Sequence, residues 1–447
     1  MKNRVTAVFF LAVCVVTGLL ALHFLPSLSV GGKPLRKVDL LSDIRPDKVV
    51  PADTGTVVLP PPPVRPAFVD TCRKGMECIE DYADSTARGM SRFYEALGEC
   101  ERTGRPVRIA YFGDSFIEAD ILTGDLRRMF QKRFGGSGVG YVSVTTRIAG
   151  FRPTVRQSFE GWESHSITDS VRFDRSMQDM SNRYAFPSSG AYVQLRGDTC
   201  GVSSCYFVAS DSVVLSASVN GGDARRFRVR GDGLLQSVSV EGEIGRVRWT
   251  VERFDSVPVF YAVTMDSPQG VVLDNFSTRG SGGQQLLNVP ASILRRYGSL
   301  RPYDLIVLQY GLNVASEGVL DYSYYKEAMV RVVDYLKGVF PHASVLIVGV
   351  GDREMKDEDG ELRTMPAVKS LVRYQQLLAA ETHTAFWNMF EALGGEGSME
   401  RMVDDKLANY DYTHINFRGG KHIAGLLFEA LMYGKEQYEK RKAYETE

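Results

Sequence analysis

The sequence is poor in tryptophan and cysteine and has no excess of either charge. Its 447 residues include 3 Trp and 6 Cys, and 53 Lys and Arg are balanced by 54 Asp and Glu. No segment combines a dense basic run with interleaved aromatic residues, which argues against nucleic-acid binding. The composition, with 44% hydrophobic and 24% charged residues, is that of a globular chain with two or three domains.

One long uncharged apolar run is present, at the N-terminus. Residues 5–25 follow Lys2 and Arg4 and carry no full charge. As a helix rising about 1.5 Å per residue, the run extends over roughly 30 Å, the thickness of a hydrocarbon core. It is longer than the apolar core of most cleaved signal peptides and has no small-x-small cleavage site, which favours an uncleaved signal anchor at 1–25 over secretion. Lipidation at Cys14 is a minor alternative.

A segment without periodicity follows the predicted anchor. Residues 26–69 are rich in proline and polar residues, with consecutive prolines at 60–63. This composition predicts a Pro-rich linker whose reach is set by polyproline II geometry, at about 3.1 Å per residue. Folded sequence is expected to begin near Cys72.

Five cysteines lie beyond the anchor. Cys200 and Cys205 flank Gly-Val-Ser-Ser beside a strand-like segment, which predicts a hairpin loop closed by a disulfide. Cys72 with Cys78, or Cys78 with Cys100, are the alternatives for a second bridge. A zinc site would need further Cys or His at ligand spacing. Two disulfides would favour an oxidising compartment such as the bacterial periplasm or the cell exterior.

Strand and helix patterns alternate in two parts of the chain, 70–148 and 269–447. The predicted strands are 107–112, 304–309, 343–350 and 384–388, and the predicted helices are 85–100, 119–134, 322–339, 365–381 and 417–440. Alternation of this kind predicts an α/β domain with a parallel sheet covered by helices on both faces.

The periodicity changes in the interval 149–268. Phe227 and Val229 alternate with arginines, and so do Val247, Trp249 and Val251. Turn signals separate these runs. The interval therefore predicts an antiparallel β domain, a sandwich of the jelly-roll kind, inserted into the α/β domain.

Two short blocks contain groups suited to nucleophilic catalysis. Gly113-Asp114-Ser115 follows a predicted strand, where a hydroxyl can project at the carboxyl edge of a parallel sheet. Asp411 and His414 stand three positions apart before the last helix. A histidine needs an orienting carboxylate to act as a base toward a serine, and this spacing allows both on one loop.

Two further blocks can supply hydrogen-bond donors to an oxyanion. The loop from Asn275 to Gly280 follows a strand-like run, and its glycine can present an unobstructed backbone N–H. Gly311-Leu312-Asn313 follows the strongest predicted strand and offers a side-chain amide. Each block alone is an ordinary turn, but four of them in this order indicate one site.

The order Gly-Asp-Ser, glycine-bearing loop, Gly-x-Asn and Asp-x-x-His resembles the SGNH/GDSL hydrolase family. The resemblance implies a flavodoxin-like three-layer α/β/α domain and ester hydrolysis through an acyl-serine. It implies Ser115 as nucleophile, His414 as base and Asp411 as the partner that orients the base. It further implies an oxyanion hole made by the N–H groups of Ser115 and Gly280 and the amide of Asn313.

The family pattern is not matched everywhere. Val314 stands where many members have Asp, and the block around Gly280 is loose, so Gly282 is its rival as oxyanion donor. Other polar residues are expected to have ordinary roles. Glu118 and Asp120 are expected as carboxylates at a helix N-terminus, with substrate contact as the alternative. His422 is expected as a surface or packing residue, and Asp352, Asp357 and Asp359 are expected in a solvated loop.

The length of the insertion narrows the expected function. Ser115 and Gly280 are 165 positions apart, whereas a strand–helix–strand unit takes roughly 30 residues. SGNH enzymes with a β domain between these blocks look like extracytoplasmic peptidoglycan O-acetylesterases and related carbohydrate esterases. We therefore expect a serine esterase that removes O-acetyl or other small acyl groups from carbohydrate or cell-wall glycan, without cofactor or metal.

Two alternatives remain open at this point. A glycan O-acetyltransferase would use the same triad with a sugar hydroxyl as acceptor. A non-catalytic glycan-binding protein would use only the β domain. The expected partners are an O-acylated glycan and the inner membrane, in which the N-terminal transmembrane helix would anchor a protein located in the periplasm.

Overall fold

The computed structural model describes residue 10 and residues 29–30, 33–34, 72–84, 89–168, 173–357 and 359–446. The predicted anchor and most of the predicted linker therefore lie outside the described residues. Within the described ranges, no helix is both long and apolar enough to cross a membrane. The chain divides into two compact units, Met1–Val58 and Leu59–Glu447. In the first unit, two short strands pair as a hairpin, and the second unit contains all the elements discussed below.

The strands are named in chain order. They are β1 (Ser29–Val30), β2 (Lys33–Pro34), β3 (Glu80–Asp81), β4 (Val107–Gly113), β5 (Gly140–Ser143), β6 (Val155–Ser166), β7 (Arg183–Val208), β8 (Val213–Val219), β9 (Arg225–Val229), β10 (Leu235–Phe254), β11 (Val259–Met265), β12 (Val271–Ser277), β13 (Leu305–Gln309), β14 (Ser344–Val348), β15 (Glu354–Lys356), β16 (Leu362–Thr364) and β17 (Ala385–Trp387).

The α-helices are named in the same way, and two 3₁₀ helices lie between them at Glu118–Asp120 and Gln284–Asn288. The α-helices are α1 (Ser91–Glu99), α2 (Thr123–Phe134), α3 (Ala291–Leu300), α4 (Ser323–Val339), α5 (Pro366–Glu381), α6 (Met389–Ala392), α7 (Ser398–Asp404) and α8 (Phe417–Thr446).

The predicted parallel sheet is present, with the order β12-β4-β13-β14-β17-β3. Five strands are parallel, and β3 pairs antiparallel at one edge. Counted within the parallel set, the order is 2-1-3-4-5, which is the flavodoxin-like arrangement. β13 and β14 are buried along their whole length, as expected for strands covered on both faces. Helix α8 packs on α1 and α2, while α4 packs on α3 and α5, so two groups of helices flank the sheet.

The helix after β4 starts later than predicted. The expected start was residue 119, but Ala119 and Asp120 have left-handed backbone conformations with φ of 55° and 63°, and α2 begins at Thr123. Few non-glycine residues adopt positive φ, and only surrounding contacts hold them there. The turn after β4 is therefore a fixed, strained segment.

The inserted β domain is present as one antiparallel sheet of seven strands, β5 to β11. Its long central strand β7 is bordered by β10 on one edge and by β6 and then β11 on the other. Among the described residues the strands of the predicted sandwich form one connected sheet in place of two separate ones. Phe260 of β11 pairs with both Ala185 and Phe207 of β7, so this sheet folds back on itself. The first strand, β5, lies ahead of the interval 149–268, in a glycine-rich stretch that carried no strand pattern.

The disulfide prediction was half right. Cys72 and Cys78 are bonded, whereas Cys100, Cys200 and Cys205 are buried free thiols. The predicted bridge between Cys200 and Cys205 is wrong because both residues lie within the continuous strand β7. At about 3.3 Å per residue, five extended residues separate them by roughly 16 Å, far beyond the 4.4–6.8 Å that a disulfide spans between Cα atoms.

A buried ionic cluster joins the inserted sheet to the parallel sheet. The guanidinium of Arg301, just after α3, donates to Asp266, just after β11, at 2.6 and 2.8 Å. It also donates to Asp274 in β12 at 2.5 and 2.7 Å. The backbone N–H of Tyr141 in β5 donates to the same Asp274 at 2.8 Å. Because these groups are fully desolvated, each charge depends on its partners.

Candidate active site

Three of the predicted blocks meet at the carboxyl edge of the parallel sheet. In the strand register, Gly113 at the end of β4 pairs with Ser277 of β12 on one side and Gln309 of β13 on the other. The loops that carry Ser115, Gly280 and Asn313 therefore leave neighbouring strands side by side. This is also where the strand order reverses, the position at which open α/β sheets bind their ligands.

The Asp114 carboxylate anchors the turn that presents Ser115. Asp114 is buried, and its carboxylate accepts from the Phe116 N–H at 3.0 Å. Ser115 itself is half-buried. Burial raises the pKa of Asp114 to about 6, although the Phe116 N–H, the charge on His414 and the Asn313 amide oppose the rise. The effect of His414 on this carboxyl puts the imidazole within electrostatic reach of the turn.

The structure brings the predicted carboxylate and imidazole together. Asp411 Oδ2 lies 2.8 Å from His414 Nδ1, and Asp411 Oδ1 accepts from the backbone N–H groups of His414 and Thr413 at 2.9 and 3.1 Å. Partial burial of Asp411 opposes the change, but these hydrogen bonds lower its pKa. Because an ionised carboxylate can only accept, the proton sits on Nδ1, and Nε2 has a free lone pair for use as a base.

Ser115 and His414 are not directly bonded. Within the part of the chain that the structure describes, no hydrogen bond joins the Ser115 hydroxyl to the imidazole. Catalytic hydrogen bonds are often long or poorly aligned without substrate. The two side chains thus share one end of the sheet without a closed contact.

The Asn313 amide cross-links two of the loops. Its Nδ2 donates to Asp114 Oδ2 at 2.6 Å and to the Ser281 carbonyl at 3.1 Å. Asn313 therefore ties the loop after β13 to the turn after β4 and to the loop after β12. The hydrogens that an oxyanion would use are engaged by these two acceptors, and the side chain is exposed enough to turn.

The two candidate glycines have different surroundings. Gly280 is exposed, has a φ of 74°, and has open space where a side chain would be. A Cβ on Gly282 would lie 3.0 Å from Val314 and 2.6 Å from Gln284. Both glycines would therefore resist substitution, Gly280 because of backbone strain and Gly282 because of crowding.

The Gly280 loop is also held to the Ser115 turn by an ion pair. Arg279 Nε donates to Glu118 Oε2 at 2.9 Å. This hydrogen bond raises the pKa of Arg279. Glu118 was expected to be a helix N-terminal carboxylate or a substrate contact, and the structure gives it this neighbour instead.

Asp120 is fully buried and is the most highly connected carboxylate beside the site. Its oxygens accept from Arg127 at 3.0 and 3.2 Å, from Arg152 and Thr154 at 2.8 and 2.5 Å, and from Asn275 at 2.8 Å. Although burial opposes it, the two arginines lower the pKa of Asp120 well below its usual range.

The sequence analysis did not predict the contacts of Asp120, and the sequence contains only a weak signal for them. Asp120 and Arg127 stand seven residues apart, which places them on one face of a helical segment. Arg152 and Thr154 come from the start of the insertion, and nothing local links them to Asp120. The cluster ties the strained turn, β12 and the inserted sheet together at the site.

The prediction for Asp352 was wrong. Asp352 was expected in a solvated loop, but it is fully buried, and nearby Glu354 is also mostly buried. Asp352 Oδ2 accepts from the Met399 N–H at 3.1 Å, and Glu354 Oε1 accepts from the Glu400 N–H at 3.1 Å, so both carboxyls lie at the N-terminus of α7. Burial next to Asp352 raises the pKa of Glu354 to about 7.

The acid pair touches the loop that carries the imidazole. The N–H of Glu354 donates to the Tyr412 carbonyl at 3.1 Å, which helps fix the segment between Asp411 and His414. His422, in α8, is exposed. Among the described residues, no group of three or more His, Cys, Asp or Glu side chains is arranged to hold a metal ion.

A small cleft opens between the strained turn and the inserted sheet. Its volume is about 50 Å³, and its lining includes Glu118, Asn275 and Ser277 from the α/β domain and Ser143 and Arg183 from the insertion. Polar groups from both domains therefore converge within a few residues of Ser115.

Comparison with known proteins gives one informative likeness, to a solved peptidoglycan O-acetylesterase. The TM-score is 0.67 at 20% sequence identity, over 80% of this chain and 99% of that chain. A family two carbohydrate esterase from Cellvibrio japonicus also matches, with a TM-score of 0.27 and 11% identity over 67% of this chain and 99% of that chain. No protein-family model and no curated protein sequence matches the chain. The first likeness shows that this chain shares the fold of that esterase.

Proposed function

We propose that this protein is a serine esterase that removes O-acetyl or other small acyl groups from carbohydrate or cell-wall glycan. The observation that carries the proposal is the contact between Asp411 and His414 at the sheet edge where Ser115 projects. An oriented imidazole with a free Nε2 beside a strand-end serine is the arrangement that acyl transfer requires.

The proposed reaction has two steps. His414 Nε2 takes the proton of the Ser115 hydroxyl as its oxygen attacks the ester carbonyl, and the sugar alcohol leaves with that proton. Water then attacks the acyl-serine with the same base, which releases the acid and restores the hydroxyl. Asp411 stabilises the imidazolium formed in each step. The N–H groups of Ser115 and Gly280 and the Asn313 amide would stabilise the tetrahedral oxyanion.

A glycan substrate is supported by the shared fold and by the cleft. One solved structure that shares this fold is a peptidoglycan O-acetylesterase. The small cleft starts at Glu118, three residues after Ser115, and is lined by polar side chains of both domains, such as Ser143 and Asn275, which suits contacts with sugar hydroxyls. In this proposal the insertion forms one wall of the substrate site.

We further propose a periplasmic location with anchoring to the inner membrane. The disulfide between Cys72 and Cys78 favours an oxidising compartment. The uncharged apolar run at residues 5–25 has the length of a membrane span.

The test is acetate release from O-acetylated peptidoglycan by the full chain. Ser115→Ala and His414→Ala should each reduce release to near background, because nucleophile and base act as a unit. Ser299→Ala and His422→Gln change exposed residues of the same types and should retain full activity. Substantial turnover by the Ser115 variant would refute the nucleophile. A competing sugar acceptor that captures the acetyl group would identify a transferase.

A further inference from the structure

One exposed face of the inserted sheet carries many arginines. Strands β6, β7, β10, β8 and β9 lie side by side. In the register, Arg156 pairs with Arg196, and Arg196 pairs with Arg246, so the three form one row across three strands. We call this surface the arginine face; its arginines are Arg156, Arg196, Arg226, Arg228, Arg246, Arg248 and Arg253.

The other side of the same strands is a closed apolar core. Val193, Leu195, Val247 and Trp249 alternate with the arginine-face residues and are buried. Strand alternation therefore fixes the arginines on the outer side. Arg156, Arg196 and Arg246 are all exposed.

Acidic side chains neutralise only part of the arginine face. Glu252 pairs with Arg226 at 2.7 Å, and Asp255 lies 3.4 Å from Arg253. Glu160 and Asp198 also lie on this side of the strands, and Asp198 is two residues after Arg196 in β7. The edge near β9 is thus partly balanced, while the opposite part keeps a positive charge.

The row lies at one end of these strands, and its arginines form no ion pair within the described residues. The same is true of Arg248. Like charges directly opposite each other on neighbouring strands, about 4.8 Å apart, destabilise a sheet. A polyanion lying across the row would remove this repulsion. Relief of the repulsion between the arginines would therefore contribute to the binding of an anionic ligand.

Other features of the face fit a sugar polymer better than a membrane. The Arg248 guanidinium lies 3.6 Å from the centre of the Tyr192 ring, which places a flat aromatic and cationic surface beside the row. The large exposed hydrophobic side chains of the described residues, such as Phe151 and Val257, lie outside this face. The face therefore has charge and flat polar surface but no apolar group to insert into a bilayer.

The arginine face adjoins the cleft at one end. Arg152 lines the cleft, and Arg156 of the row is four residues further along the chain, roughly 13 Å for an extended strand. The residues that line the cleft include none of the seven arginines of the face, so a ligand on the face would lie beside the cleft and outside it.

We propose that the arginine face binds a linear polysaccharide that carries carboxylates at regular intervals. The guanidiniums pair with the carboxylates, and the row of Arg156, Arg196 and Arg246 follows the length of the polymer. This goes beyond the proposed esterase, since binding here needs neither Ser115 nor an acyl group. Binding at the arginine face would hold the protein on an acidic polymer.

The test uses polygalacturonate as the probe and the full chain as the binding partner. The wild type should bind it at low salt, with an affinity that falls as salt rises. Arg196→Gln combined with Arg246→Gln should weaken binding roughly tenfold and flatten the salt dependence, since two charge contacts are lost. Thermal stability should be unchanged or higher, because repulsion in the row is relieved.

The matched control removes two exposed arginines elsewhere. Arg102→Gln combined with Arg175→Gln changes the net charge equally and should leave binding unchanged. Equal weakening by both double variants would overturn the proposal, and so would equal binding of polygalacturonate after reduction of its carboxyls to alcohols. Tighter binding of phosphatidylglycerol vesicles or of single-stranded DNA than of polygalacturonate would overturn the choice of a polysaccharide.

Discussion

At the scale of single residues, Asn313 joins the buried acid of the serine turn to the neighbouring loop. Both of its acceptors, Asp114 and the Ser281 carbonyl, are fixed by their own contacts. In the proposed reaction an Asn313 N–H turns toward the oxyanion as charge develops. The amide would then stabilise the transition state more than the bound ester.

Asn313→Ala should therefore lower kcat by about 10² to 10³ with little change in KM, the usual effect of removing one oxyanion donor. Asn313→Asp should be at least as damaging, because it puts a second carboxylate beside Asp114. Steady-state kinetics with a small acetyl ester measure both. A nearly unchanged kcat in the alanine variant would show that Gly-Leu-Asn is an ordinary turn.

The raised pKa of Asp114 predicts that the stability of the protein depends on pH. Its pKa in the folded protein is about 6, above the ordinary value of 3.8, because burial disfavours the charged form. Between these two pKa values the folded state therefore keeps a proton that the unfolded state has lost. As pH rises from about 4 to about 6, the Asp114 contribution to the free energy of unfolding falls by about 3 kcal/mol. Asp114→Asn should flatten urea-unfolding stability between about pH 4 and 6. An unchanged slope would contradict the raised pKa.

At the scale of elements, the position of two cysteines in strand β7 determines their reactivity and prevents them from forming a disulfide. Cys200 and Cys205 are buried in it, and burial raises the pKa of the Cys200 thiol to about 12 and that of Cys205 above its usual range. Both should resist alkylation in the folded protein and react after denaturation. Mass analysis of unreduced peptides should find Cys72 linked to Cys78 and the β7 cysteines unlinked. A linked Cys200 and Cys205 would require a break in the strand.

The elements predicted well from sequence are those whose signal is local. The buried strand Leu305–Gln309 and the helix Pro366–Glu381 begin within one residue of their predicted starts, because apolar runs and helical periodicity are properties of the segment itself. The left-handed turn at Ala119 and Asp120 was not predictable, since distant arginines hold it. The burial of Asp352 depends in the same way on the N-terminus of α7.

The same distinction applies to the candidate site. The contact between Asp411 and His414 was readable because three residues separate them on one loop. The engagement of Asn313 by Asp114 and the connection of Asp120 to Arg152 needed the strand register and the position of the insertion. The sequence therefore predicted the groups that we propose to react, whereas the groups that hold them in place were found only in the fold.

At the scale of the whole molecule, the inserted sheet and the α/β domain share buried charges. Arg301 lies between Asp266, at the end of the insertion, and Asp274 of the parallel sheet. Arg152, near its start, reaches Asp120. Removing one partner of such a buried pair typically costs about 3–5 kcal/mol. The two domains should thus lose stability together.

The three tryptophans allow this coupling to be measured. Trp162 and Trp249 belong to the inserted sheet, and Trp387 is buried in the α/β core. Trp387→Phe leaves fluorescence that reports only the insertion, and Trp162→Phe with Trp249→Phe leaves a reporter only in the α/β domain. If the buried charges couple the domains, the two reporters should give coincident urea transitions, as in two-state unfolding. Arg301→Ala, added to each reporter, should move both transitions to lower urea by the same amount. Separate transitions, or a shift of only one, would show that the insertion folds independently and that Arg301 does not couple the domains.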